Sequence, residues 1–310
     1  MAHEFVAGWT YDHKSWHGLE TCLHEQPDYD TAERLARWGE PTTLREVYDE
    51  QGNVIDGWKR VERFGTIHAI ATDRYTPLKD SDAFRPAFAA LTADGSAIPR
   101  SGMTLAGGGL SVLTFEIPGL SAEVVSGDTL RRYLFLWNGH NTHFDCGAQF
   151  GDVCVVCMNT ARVAWREETA RRARTKHTTN VRTNMDAIHR AIDVQRREFS
   201  LDLDIMRRLA EFKLDRTTAT KYFRAVLGKG DAAEMERADW RLDRLEANYV
   251  GGVGSQARAG TVWGAFSAVT EFVTHQRGRT DSSRIVADQF GAGATLRQHA
   301  ADLARELVGV

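Results

Sequence analysis

The feature that most constrains this chain is a change in the period of its apolar residues near position 160. Before it, short apolar runs alternate with turn residues, as in "GTIHAIATDRYTPLKD", "SGMTLAGGGLSVLTFEIPG", "SGDTLRRYLFLWNGH" and "DVCVVCMNT". In "GGGLSVLTFEIPG", Leu110, Val112 and Thr114 fall on one side of an extended chain, and Leu113, Phe115 and Ile117 on the other. That pattern predicts a strand with apolar residues on both faces, entered through a glycine turn and stopped by Pro118. After "CMNTARVAWREE" the period lengthens: "NMDAIHRAIDVQRREF" places Met185, Ile188, Ile192 and Phe199 on one helical stripe. The expectation is an α+β chain, with a sheet-rich region over 1–160 and a mainly helical region over 161–310. No linker, internal repeat or low-complexity tract separates the two, so they can form one intertwined domain.

With 310 residues, 42% of them hydrophobic, the chain can bury a substantial core. Its apolar runs fall short of the roughly 18 to 20 residues that a membrane span needs, and "MAHEFVAGWTYDHKSW" lacks the basic and apolar regions of a secretion signal. A soluble, unexported protein is expected. Four cysteines, Cys22, Cys146, Cys154 and Cys157, are too sparse for a disulfide scaffold and fit a reducing cytoplasm.

Charge is distributed unevenly. Residues 1–160 carry 13 Lys/Arg against 22 Asp/Glu, and residues 161–310 carry 26 against 20, so the halves are −9 and +6. Such asymmetry fits either a polyanion-binding half or an acidic half that pairs with the basic half of a neighbouring copy. The cations concentrate in "RVAWREETARRARTKHTTNVR", residues 162–182, with seven Lys/Arg and two acids. On a helix Glu167 would meet Arg171, and Glu168 would meet Arg172, four residues on. A solvated surface helix accounts for that much. Guanidinium groups interleaved with hydroxyls and amides are also the side chains that neutralise and hydrogen-bond phosphate without reading sequence.

Metal and cofactor signatures are weak. Cys154 and Cys157 have the spacing of a zinc knuckle, and "GHNTHFDC" adds His140, His143, Asp145 and Cys146. Yet "DVCVVCM" is β-branched and apolar, and residues three apart on a strand point to opposite faces, so buried thiols are expected. His13, His17, Cys22 and His24 lie close in sequence, but Gly18 interrupts them. The glycine-rich "GGVGSQARAG" reads as a connector and "FGAGATLRQHA" as a helix entry capped by Thr295, neither matching a phosphate-binding fingerprint. No cofactor, metal site or catalytic set is expected.

In "GTVWGAFSAVTEFVTHQRGR", residues 260–279, Val262, Phe266, Val269 and Val273 form a buried helical stripe widened by Trp263 and Phe272. Glu271 and His275, four apart, are expected to share a local hydrogen bond. Arg277 and Arg279 fall at the negative end of the helix dipole, where Gly278 stops it.

Taken in order, "WHGLE", "RYTPLKDSDAF" with the following "AGGG", "CVVCMNT", "KHTTN", "GTVWGAFSAVTEFVTHQR" and "FGAGATLRQHA" resemble successive signatures of the phage/plasmid-like family known as domain of unknown function 932. The resemblance spans roughly residues 16–304. The family's usual "SHDG" element stands here as "GHNTHFD", with His140 as its counterpart. The resemblance implies a soluble cytoplasmic protein of a phage, plasmid or other mobile element, associated with DNA maintenance.

Together these features point to a homo-oligomeric protein that binds and anneals single-stranded DNA, resembling in broad architecture the ring-forming single-strand annealing proteins of phages. Its phosphate contacts are expected from Arg171, Arg172, Arg174, Lys176, His177 and Arg182, with Arg277 and Arg279 as further candidates. Two other classes stay open. One is a nucleotide- or nucleic-acid-processing enzyme using His140, His143 and Asp145. The other is a non-catalytic structural protein whose arginines meet a protein partner.

Overall fold

Alternating apolar runs in the first half form strands, and the computed structural model describes residues 5–12, 18–93, 95–141, 144–154, 160–161, 173–175, 185–228, 232–277 and 291–310. The order opens with β1 (Ala7–Tyr11), β2 (Thr21–Leu23), α1 (Tyr29–Ala36), β3 (Thr43–Tyr48), β4 (Val54–Arg63), β5 (Thr66–Thr72) and α2 (Asp80–Ala93). There follow β6 (Ile98–Leu105), a tight turn at Ala106–Gly108, β7 (Leu110–Val125), β8 (Asp128–Gly139), β9 (Cys146–Cys154), β10 (Thr160–Ala161) and β11 (Ala173–Thr175). Helices then take over: α3 (Met185–Glu211), α4 (Arg216–Leu227), α5 (Ala232–Gly251), α6 (Ser255–Arg258), α7 (Val262–Glu271) and α8 (Ala292–Val308). Strands thus dominate the N-terminal part and helices the C-terminal part, the α+β class that the change of period implied.

The main sheet runs β10-β9-β8-β7-β6-β1-β2, with β11 also pairing β9, and β3-β4-β5 form a second, antiparallel sheet. β7 does not stop at Pro118 but continues to Val125. Its ladder with β6 ends at the Ile98–Glu116 pair, so β6 asks for no N–H from Pro118, and Gly119 at φ +80° absorbs the local irregularity.

The chain divides into two compact units, each drawn from several stretches. The first comprises residues 1–118, 133–149 and 172–192. Within it, α1 starts where the Asp28 carboxylate accepts from the Thr31 N–H at 2.7 Å, and ends at Arg37 in a left-handed conformation. Trp9 of β1 donates its indole N–H to the Ala32 carbonyl at 3.0 Å, which ties helix to sheet. The core there is aromatic: Trp38 packs on Phe84 with ring centroids 4.8 Å apart, Tyr29 on Phe88 at 5.5 Å, and Phe88 on Phe115 at 5.9 Å.

The second unit comprises residues 119–132, 150–171 and 193–310. All of α7 is buried, not only the stripe that its spacing marks, because α4, α5 and α8 pack around it. Thr261 caps it by accepting from the Gly264 N–H at 3.0 Å. Gly264 is there for close approach, since a Cβ would lie 2.3 Å from the Arg258 carbonyl oxygen. A π-helical turn, Phe272–Gln276, continues the helix. Buried Arg132 of β8 holds both Asp152 oxygens at 2.9 Å and Asp202 of α3 at 3.0 Å, so this ionic set joins strands to helix. α8 begins at Gly291 with no side-chain cap, and Thr295 lies inside the helix, its N–H bonded to the Gly291 carbonyl.

Among the described residues, no helix is long and apolar enough to cross a membrane.

Candidate functional site

Several of the quoted sequence signatures meet at one buried carboxylate, Asp80, the first residue of α2. Its Oδ2 accepts from Arg63 of β4 at 2.7 Å and from the Ser111 hydroxyl of β7 at 2.6 Å. Its Oδ1 accepts from Asn138 of β8 and lies against His140 Nε2, both at 2.8 Å. Both oxygens are therefore fully used. Arg63 also donates to the carbonyls of Trp38, Glu40 and Gly108, and His140 gives its backbone N–H to the Gly109 carbonyl at 2.8 Å. The "AGGG" turn, the "LKDSDAF" helix start and the "GHN" segment are thus joined through side chain and backbone.

The imidazole of His140 bridges two groups, with Nε2 on Asp80 and Nδ1 2.8 Å from the hydroxyl of half-buried Thr42. With the proton on Nε2, Nδ1 accepts from Thr42, giving the hydroxyl, base and carboxylate order of an activated nucleophile. Burial pushes the Asp80 carboxyl upward, but His140, Arg63 and Ser111 overcome it and hold the carboxyl below its ordinary value. Asp80 is thus a fixed anion. His68 beside it is pushed down by burial, with the His140 and Arg63 charges adding to that and the Arg63 carbonyl opposing it. Cys146 is pushed up to about 12, by burial first and then by Asp145 and Asp80, so its thiol is unreactive at neutral pH.

The residues singled out from sequence separate. His140 belongs to the Asp80 cluster, whereas Asp145 receives the Trp137 indole N–H at 2.9 Å. His143 lies outside the described residues, as do His13, His17 and Cys157. Among the described residues no group of three or more His, Cys, Asp or Glu is arranged to hold a metal. Arg171, Arg172, Lys176, His177, Arg182 and Arg279 also lie outside them. Arg174 stands on β11, whose residues 173–175 pair antiparallel with 148–146 of β9.

Arg277 closes the π-helical turn, its N–H bonded to the Phe272 carbonyl and its guanidinium to the Ala292 carbonyl at 3.0 Å. Burial, then the charge of Arg241, pushes its pKa below the ordinary arginine value. Trp240, the residue before Arg241, is 55% exposed and rests on Phe272 with ring centroids 5.9 Å apart. Exposed Trp240 of α5 therefore packs against the π-helical turn that Arg277 closes. Glu271 turns elsewhere: its carboxylate accepts from the Val253 N–H, and burial raises its pKa against the pull of that bond and of Arg258.

Sequence reasoning did not single out Asp80, Arg63, Ser111, Asn138 or Thr42 as a set, because strands and a helix distant in sequence bring them together. Trp240 was not singled out either, standing inside the charged run "ERADWRLDRLE".

No curated protein and no solved structure matches the chain. The model of a family described as Domain of unknown function (DUF932) matches residues 67–305, which take in Asp80, Ser111, Asn138, His140, Trp240, Arg241 and Arg277. The match covers well over half of the sequence, and the chain belongs to this family.

Proposed function

We propose that this protein is an oligomeric single-stranded DNA-binding protein, with an annealing role in a phage, plasmid or other mobile element. One observation carries the reading: exposed Trp240 rests on Phe272 of the π-helical turn that Arg277 closes, and the charge of Arg241 acts on Arg277. Like charges in proximity repel, and an anion between them turns that cost into attraction. Phosphate on paired guanidiniums beside a base stacked on an aromatic is how single strands are gripped without sequence preference. The Arg/Lys-rich run over 162–182, which contains β11, supplies further phosphate contacts in the same reading. Annealing requires no catalytic acid or metal, only held phosphates and accessible bases.

The test is fluorescence anisotropy of a labelled oligothymidine titrated with the protein at low ionic strength. Binding is expected, and Trp240→Ala is expected to weaken it by roughly 5- to 100-fold, the worth of one stacked base. Failure to bind at low salt would refute the proposal.

The Thr42, His140 and Asp80 chain favours a second reading, a nucleic-acid-processing enzyme with Thr42 as nucleophile and His140 as base. Cleavage of a labelled strand that Thr42→Val abolishes without unfolding would support it. An uncleaved strand under conditions where the protein binds it would dismiss it.

A further inference from the structure

The start of α4 and the end of α5 each carry a charge of the wrong sign for a helix end. Arg216 is the first residue of α4, at the pole where a helix favours anions, and the first turn of α4 holds no acid. Asp215 caps that turn, but its carboxylate is taken up by the Thr218 N–H and hydroxyl at 2.9 and 3.1 Å. At the other end, the last turn of α5 holds no basic residue, and Glu246 stands just before it, near the pole where a helix favours cations. Charges that oppose their own helix are expected at functional sites, where a bound group compensates them.

The two ends meet. Tyr249 of α5 donates its hydroxyl proton to the Leu214 carbonyl, just before α4, at 2.6 Å, and the Thr220 hydroxyl of α4 donates to Glu246 at 2.5 Å. Between them lies a cavity of about 170 Å³ that both Arg216 and Glu246 line. That is the liquid volume of roughly six waters, a space for a small metabolite rather than for a segment of chain. The lining is mostly polar, over a small apolar floor of buried Ala219, Phe223 and Tyr249, with Val250 58% exposed at its edge. Among the described residues the Arg216 guanidinium has no hydrogen bond or ion pair, and the Glu246 carboxylate is bonded to Thr220 alone. Two charges of opposite sign thus face one cleft without neutralising each other.

We propose that this cleft binds a small zwitterion, an α-amino acid with an apolar side chain. Its carboxylate meets the Arg216 guanidinium at the positive pole of α4, and its ammonium meets Glu246 near the negative pole of α5. Its side chain covers the apolar floor beside Val250. A ligand of one sign would satisfy one helix end and be repelled by the other, whereas a zwitterion satisfies both. The cleft lies wholly within the second unit, and its role is independent of the DNA binding proposed above.

The test is isothermal titration calorimetry of the full chain with L-leucine and with two analogues that keep its side chain and one of its charges. These are 4-methylpentanoate, which lacks the ammonium, and 3-methylbutylamine, which lacks the carboxylate. L-Leucine is expected to bind saturably with a Kd below about 1 mM. Each analogue should bind roughly 10- to 100-fold more weakly, the worth of one hydrogen bond to a charged group. Glu246→Gln is expected to weaken L-leucine by the same factor, so that the variant no longer distinguishes it from 4-methylpentanoate. Arg216→Gln should likewise lose the distinction between L-leucine and 3-methylbutylamine. Arg216 is exposed and Glu246 half-buried, and circular dichroism checks the fold of each variant. Should either fail to fold, the two analogues on the wild-type chain decide the matter by themselves. No saturable binding of L-leucine up to about 10 mM would overturn the proposal. So would analogues that bind as tightly as L-leucine, or folded variants that bind it like the wild type.

Discussion

Replacing Asp80 with Asn keeps the shape of the side chain and removes its charge from a site where both it and Arg63 are buried. The Arg63 guanidinium would retain the Trp38, Glu40 and Gly108 carbonyls and the Ser111 hydroxyl, but no counter-charge at 2.7 Å. Breaking a buried ion pair from one side costs about 3–5 kcal/mol, because the remaining charge stays desolvated. At roughly 2–4 °C per kcal/mol for a domain of this class, Asp80→Asn should lower Tm by roughly 6–20 °C. Urea unfolding followed by tryptophan fluorescence, with Arg63→Met and the double variant, completes a cycle. Removing both charges should cost much less than the sum of the single losses, with a coupling of more than about 1 kcal/mol. An Asp80→Asn loss below about 1 kcal/mol, or additive losses in the double variant, would refute the claim that this pair anchors the first unit.

The same group sets a pH dependence. The Asp80 carboxyl is held below its ordinary value of 3.8 in the folded chain, so the unfolded state binds more protons as the pH falls toward that range. Its stabilisation is complete above pH 3.8 and is lost as pH falls through the lowered folded value; the acid limb of the stability curve should therefore be shallower in Asp80→Asn than in wild type. His68, lowered from 6.5, acts with the same sign at higher pH. His68→Gln should flatten the loss of stability below pH 6.5, measured as the urea midpoint from pH 8 to 5. Gly264→Ala would drive a methyl to 2.3 Å from the Arg258 carbonyl oxygen and should cost about 1–3 kcal/mol in urea unfolding, despite the better helix propensity of Ala.

The change of apolar period was a sound guide to fold class, because period 2 and period 3.6 report directly on which faces are buried. It located β7 and the beginning of α3. It misjudged the end of β7: a proline stops a strand only where a neighbour needs its N–H, and β6 has already ended. The stripe on α7 understated its burial, since three other helices surround it and small residues such as Gly264, Ala265 and Ala268 take part in the contact as fully as Phe266. Thr295 looked like a cap because hydroxyls favour that role, yet α8 starts four residues earlier at Gly291. The Asp80 cluster was the least legible part. Thr42, Arg63, Asp80, Ser111 and His140 span 98 residues of sequence between Thr42 and His140, and no local spacing announces a contact that only strand pairing creates. His140 was found through its family signature, but its neighbours His143 and Asp145 suggested a sequence-local cluster, while its partners lie 98 and 60 residues away. The contact of Trp240 with the π-helical turn was hidden for another reason: Trp240 and Phe272 stand on different helices, and no local spacing joins them.

The most direct test of the central claim is the salt dependence of oligothymidine binding in the wild type and in Arg241→Ala/Arg277→Ala. Each phosphate neutralised on a single strand contributes about 0.7 to the slope of log K against log salt. If Arg241 and Arg277 each hold a phosphate beside Trp240, the double variant should bind more weakly at every salt concentration, with a slope shallower by about 1.4. An unchanged slope and affinity, with the variant folded, would contradict the account.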